Sequence, residues 1–132
     1  RADALNALHV AGVIGGEDIG QGAVVAGGLV LAVEAQEGTD AMLRRVGELP
    51  EALRGTPQAR AGVLAKRPKP VQERRIDLPV IGVSTVEGAA RAGLAGIAAP
   101  AGGALILGHA AVARAADAAG LFVWIVDEPR AE

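Results

Sequence analysis

Ser84-Thr85-Val86-Glu87-Gly88-Ala89-Ala90-Arg91-Ala92-Gly93-Leu94-Ala95-Gly96-Ile97-Ala98-Ala99 reads as one structural unit. Ser84, followed three residues later by Glu87, has the form of a capping box, in which the hydroxyl accepts from the N3 amide and the carboxylate reaches back to the cap amide. Gly93 is the left-handed residue that ends the helix. Leu94–Ala99 is then an apolar strand. The same grammar returns further on: a helix over His109–Ala119 stops at Gly120, and a strand over Leu121–Val126 follows. Helix, glycine and strand, twice in succession, predict an α/β domain.

The segments around this unit add antiparallel strands. Ala23–Ala26 and Leu29–Glu34 flank Gly27-Gly28, a two-glycine loop of the type I′ or II′ kind, and predict a β-hairpin. Pro100-Ala101-Gly102-Gly103 predicts a second hairpin, turning Leu94–Ala99 onto Ala104–Leu107. Residues 2–10 read as helix and Gly12–Gly22 as a glycine-rich loop. Thr39 or Asp40 caps a helix from Ala41 to about Val46. Ala61–Lys66 reads as a short strand, and Arg67–Pro79 as a loop, because its prolines exclude a central strand. The expectation is one α/β domain with a mixed β-sheet, two β-hairpins and Ala-rich packing helices.

Composition narrows the function classes. The chain has 132 residues, enough for one domain with a real core. Hydrophobic residues make up 51% and aromatics 2%, so the core is built of small side chains. One Trp, one Phe and no Tyr leave no platform for base stacking, and no nucleic-acid partner is expected. The absence of cysteine excludes disulfides and thiolate metal sites. No apolar run approaches the roughly 20 residues of a membrane span. The chain begins at Arg1, within a helical pattern, and is expected to be a fragment. Net charge is −2. It is unevenly spread: Lys66, Arg67, Lys69, Arg74 and Arg75 crowd one stretch with only Glu73 opposing them. Such a cationic loop on an acidic body can attract an anionic ligand, and its alternative, the commoner case for a charge run, is a solvated loop.

Three polar clusters interrupt the apolar chain. Asp18-Ile19-Gly20-Gln21-Gly22 has glycines that let backbone amides approach a ligand, with Gln21 beside them. It lacks the Gly-Lys-Ser/Thr of a phosphate loop, and its alternative is a tight connection into the hairpin. Glu37-Gly38-Thr39-Asp40 opens a helix, whose free amides and Thr39 hydroxyl suit a phosphate; the alternative is a plain helix cap. Glu34, at the preceding strand end, is placed to face the same mouth. Lys66 to Pro79 combines stiffening prolines with Lys69, Gln72, Arg74 and Arg75, groups suited to phosphate. Nearby cations keep Asp77 ionised, able to hold Mg²⁺ or to position a water. Its alternative is an Arg–Asp ion pair that pins a loop. His9 and His109 share no metal-ligand spacing and read as structural or surface residues. Trp124 reads as core.

Taken in order and spacing, Asp18-Ile19-Gly20-Gln21, Leu31 to Asp40, and Lys69-Pro70-Val71-Gln72-Glu73-Arg74-Arg75-Ile76-Asp77-Leu78-Pro79 resemble the carboxy-terminal domain of the LpxI-type UDP-2,3-diacylglucosamine pyrophosphatases. Gly93-Leu94-Ala95-Gly96-Ile97 and Ala119-Gly120-Leu121-Phe122 are similar too. One departure is Val71, where the family pattern has glycine. The resemblance implies a two-domain enzyme of lipid A biosynthesis, with its active site between the domains. It implies Mg²⁺-assisted attack of water on the α-phosphorus of UDP-2,3-diacylglucosamine, giving UMP and 2,3-diacylglucosamine 1-phosphate (lipid X). By the same resemblance Asp77 matches the essential aspartate, and Thr39, Gln72, Arg74 and Arg75 match ligand-side positions; the role expected of Asp77 is to hold Mg²⁺ or to orient the attacking water. Asp40, Lys69 and Gln21 complete the expected binding set.

That reading makes the partners a lipid-linked nucleotide sugar and the missing amino-terminal domain. A cytoplasmic location, an inactive isolated fragment, and room for a homodimer and for peripheral contact with the inner membrane are further expectations. The competing reading is a non-catalytic module that binds a sugar-phosphate or nucleotide, or that serves dimerisation through the apolar hairpin Ala23–Glu34.

Overall fold

Gly27 and Gly28 both take positive φ, +57° and +82°, as a type I′ hairpin turn requires. In the computed structural model, which describes residues 1–69 and 78–127, this turn joins β1 (Gly22–Ala26) to β2 (Leu29–Val33) in antiparallel register. β1 also pairs antiparallel with β3 (Val63–Lys66). Beyond β3 the sheet is parallel: β5 (Gly96–Pro100) pairs with β3, and β7 (Phe122–Val126) with β5. The five-stranded sheet therefore runs β2-β1-β3-β5-β7. This is the mixed α/β sheet expected.

Four helices among the described residues cover the two faces. α1 (Ala2–Gly16) packs on one face, with Ala4, Ala7, Leu8 and Ala11 buried against Ala23, Val25, Val63, Ala65 and Ala98. Alanines on both surfaces let helix and sheet approach closely. α2 (Thr39–Gly47), α3 (Val83–Arg91) and α4 (His109–Ala119) take the other face. There Met42, Leu43, Val46, Val86, Ala89 and Val112 meet Val24, Ala32, Leu64 and Ile97. α3 and α4 end at Gly93 and Gly120, both with positive φ, as expected. His9 and His109 are exposed, and Trp124 is half-buried beneath the Arg1 guanidinium, 5.3 Å from its ring centre.

Several expected boundaries change. α1 extends past residue 10 to Gly16, so the glycine-rich loop shrinks to the residues just before β1. Ala7, Leu8, Ala11, Ile14 and Gly15 form a buried helical stripe, and packing outweighs the low helix propensity of glycine. The Ser84–Glu87 capping box is not formed. α3 starts earlier, after Gly82, whose amide donates to Thr85 Oγ1 at 3.2 Å. The second hairpin is also absent. β5 is hydrogen-bonded on both edges and has none left for a partner. β6 (Leu105–Ile106) instead pairs in parallel with β4 (Val80–Ile81), forming a small second sheet.

Asp3 ties the first helix to the hairpin. Its carboxylate accepts from the amides of Gly27 and Gly28, at 2.9 and 3.0 Å. Asp3→Ala should lower stability by about 1–2 kcal/mol, since hydrogen bonds to a charged group contribute about 1.5–3 kcal/mol and these lie at the surface. Amide exchange at Gly27 and Gly28 should quicken with it; unchanged exchange at both would show that the turn stands without Asp3.

Candidate functional site

The ends of three neighbouring strands build the site. The Glu34 amide donates to the Gly22 carbonyl at 2.9 Å, and Gly22 pairs with Lys66 across β1 and β3. Glu34, Gly22 and Lys66 therefore form one cross-strand row. Side chains in such a row share a face, here the face covered by α2. Gly22 contributes no side chain, so the two charged side chains meet over it. Lys66 Nζ lies 3.9 Å from Glu34 Oε1. A Cβ at Gly22 would stand 2.9 Å from that same oxygen.

Gly20 serves the same arrangement. A Cβ there would stand 1.9 Å from the Glu34 backbone oxygen. The glycines of Asp18-Ile19-Gly20-Gln21-Gly22, expected to bring backbone amides to a ligand, instead admit Glu34. The connection into the hairpin is tight for this reason.

Lys66 is 6% exposed and Glu34 is 9% exposed. Lys66, expected both as the end of a strand and as part of the cationic run, is the last residue of β3, and it is buried. Its ammonium donates to Thr39 Oγ1, the first residue of α2. Thr39 is thus no helix cap, and neither is Asp40. The N-cap is Gly38, at φ +91°, and no side chain among the described residues caps the helix. The first amides of α2 keep their outward donor capacity. Arg45 fixes the approach to that helix start: it forks onto Glu37 at 2.5 and 2.9 Å and donates to the Val33 carbonyl at 3.1 Å. The guanidinium holds the Glu37 carboxyl below the usual carboxylate range.

Burial pushes the Lys66 ammonium below the ordinary lysine range, opposed by the Glu34 and Asp40 carboxylates. Among the described residues, none donates a hydrogen bond to Glu34 Oε1. The pair is therefore a desolvated charge couple held by Coulomb attraction, and each partner depends on the other.

The remaining predicted residues divide. Gln21 precedes Gly22 at the same end of the sheet, and its carbonyl accepts from the Arg67 amide at 2.8 Å. Lys69 Nζ lies 2.9 Å from Asp18 Oδ1, which joins the third cluster to the first. Asp40 is exposed on the first turn of α2. Arg67 turns away toward α1, its guanidinium 3.5 Å from the Leu8 carbonyl. Gln72, Arg74, Arg75 and Asp77 lie outside the described residues. Among the described residues, no three His, Cys, Asp or Glu side chains converge to hold a metal. An apolar hollow between α4 and β7, lined by Ile106, Val112, Leu121 and Phe122, contains none of the predicted residues.

Gln21, Thr39, Asp40 and Lys69 thus lie at one end of the sheet, with the buried Lys66 beside Thr39 and Asp40. A signal for this was present: Leu31-Ala32-Val33-Glu34 and Val63-Leu64-Ala65-Lys66 are apolar strands ending in opposite charges, with Gly22 available to lie between them.

Lys66→Met alone leaves the Glu34 carboxylate buried without its cation and should cost about 3 kcal/mol, whereas Lys66→Met with Glu34→Gln should recover most of that loss. Chemical denaturation compares the three proteins; a single variant as stable as the wild type would disprove the coupling. The folded-state value of Lys66 lies below the unfolded one, so between the two the folded protein binds fewer protons. Stability should rise with pH through that alkaline window, and the double variant should lose this part of the rise.

The profile of the LpxI C-terminal domain family matches residues 1–124. The UDP-2,3-diacylglucosamine pyrophosphatase LpxI of Caulobacter vibrioides is 66% identical over 126 residues. That match covers 96% of this chain and 45% of the relative, so the chain spans about half the length of the curated relative it matches. On both findings, the chain belongs to the LpxI C-terminal domain family.

Proposed function

We propose that this chain is the carboxy-terminal half of a two-domain pyrophosphatase that cleaves UDP-2,3-diacylglucosamine to UMP and 2,3-diacylglucosamine 1-phosphate in lipid A biosynthesis. The observation that carries this reading is the start of α2. An uncapped helix N-terminus, the Thr39 hydroxyl and a buried ammonium behind it meet at one point. Helix amides and a hydroxyl donate to phosphate oxygens, and the helix dipole favours the negative charge. The 66% identity to a protein named for this activity supports the same reading.

In this proposal the water oxygen attacks the α-phosphorus. The bond from that phosphorus to the bridging oxygen breaks, and the sugar 1-phosphate leaves. The pyrophosphate repels a nucleophile, so donors aimed at its oxygens lower the barrier. Thr39 and the first amides of α2 hold the sugar 1-phosphate. Lys69, Gln72, Arg74 and Arg75 supply further donors, Gln21 and Asp40 border the same mouth, and Asp77 orients the water. The described residues do not by themselves make a metal site, so Mg²⁺ enters as a requirement of the whole protein and carries no step here. The substrate's acyl chains favour an enzyme that works against a membrane, and this reading puts it in the cytoplasm, at the face of the inner membrane.

The test is UMP release from UDP-2,3-diacylglucosamine by the full-length protein with Mg²⁺. Release should stop with a chelator, should be absent from this chain alone, and should be abolished by Asp77→Ala in a protein that still folds. Wild-type turnover in that variant would sink the assignment. One observation favours a second reading, a pairing module: β2 is an edge strand that leaves Leu29 and Val30 53% and 52% exposed. A dimer formed through that edge, with no hydrolysis and no response to phosphate, would favour it instead.

A further inference from the structure

The Lys66–Glu34 couple has a consequence for Thr39. A lysine ammonium carries only donors, whereas a threonine hydroxyl carries one donor and two acceptor lone pairs. Lys66 donates to Thr39 Oγ1, so the hydroxyl must accept from Lys66, and its single proton is left to point elsewhere. Thr39 is half-buried at the uncapped start of α2. The proton therefore becomes one more donor beside the helix amides. Lys66 itself, 6% exposed and balanced by Glu34 at 3.9 Å, is not placed as an anion ligand.

We propose that Lys66 and Glu34 are positioning residues that fix the Thr39 hydroxyl as a donor to a phosphate group. Glu34 keeps the ammonium in place, the ammonium orients the hydroxyl, and the hydroxyl makes the contact. This inference rests on the reading of the α2 start as a phosphate-holding site. It does not require that hydrolysis take place there.

The test is the affinity of the full-length protein for inorganic pyrophosphate, measured by isothermal titration calorimetry as a double-mutant cycle. The proteins are wild type, Thr39→Val, the paired Glu34→Gln/Lys66→Met, and the triple variant. The paired change is used because a lone Lys66→Met strands a buried carboxylate; thermal melting verifies that each protein folds. Thr39→Val and the paired variant should each weaken binding about tenfold, as for one hydrogen bond to a charged group. The triple variant should bind no more weakly than Thr39→Val alone. Multiplying losses would mean that Lys66 acts independently of Thr39, and would overturn the proposal. Unchanged affinity in the paired variant, or no pyrophosphate binding by the wild type, would overturn it too. The predicted coupling without UMP release would uphold this inference and remove the hydrolase reading.

Discussion

A buried ammonium has to be surrounded by oxygen, and the end of β3 is built around that requirement. Leaving Lys66 without partners would cost several kcal/mol. The fold supplies Glu34 from just past β2 and Thr39 from α2. Each of these in turn needs room. Gly22 is glycine because a side chain in the row would strike the Glu34 carboxylate, and Gly20 because a side chain would strike the Glu34 backbone. Gly38 turns the chain with positive φ so that Thr39 can open α2 above Lys66. The glycines of the first two clusters thus answer to one desolvated charge.

The same constraint links fold to chemistry. β1 and β2 are antiparallel additions to a parallel βαβ core, and they bring the Glu34 end of the hairpin beside the carboxyl end of β3. Open α/β sheets bind ligands beyond the carboxyl ends of their strands. Here that edge carries a helix start, a hydroxyl and the beginning of the basic segment. Lys69 on Asp18 anchors that segment to the first cluster.

Much of the fold was legible in the sequence. The Gly27-Gly28 turn, the glycines that end α3 and α4, and the strands that follow them depend on local backbone chemistry, which a sequence states directly. The errors arose where tertiary contacts prevail. α1 passes through Gly12, Gly15 and Gly16 because its stripe of buried alanines lies on the sheet, which propensity does not register. Residues 104–107 read as a hairpin partner of β5, but β7 already holds that edge. In the site, Thr39 stands out by its position at a helix start, and Lys66 as both a strand end and part of a charge run. Its burial depends on Gly22 lying between two strands, a relation visible only once the register is known. The roles expected of Gln72, Arg74, Arg75 and Asp77 rest on family resemblance, since these residues lie outside the described structure.

The most direct measurement is a crystal structure of the full-length protein with pyrophosphate bound. The account predicts a phosphate oxygen within hydrogen-bond distance of Thr39 Oγ1, at the first amides of α2, with Lys66 still buried behind the hydroxyl and beside Glu34. A phosphate held directly by Lys66, with Thr39 released, would contradict it.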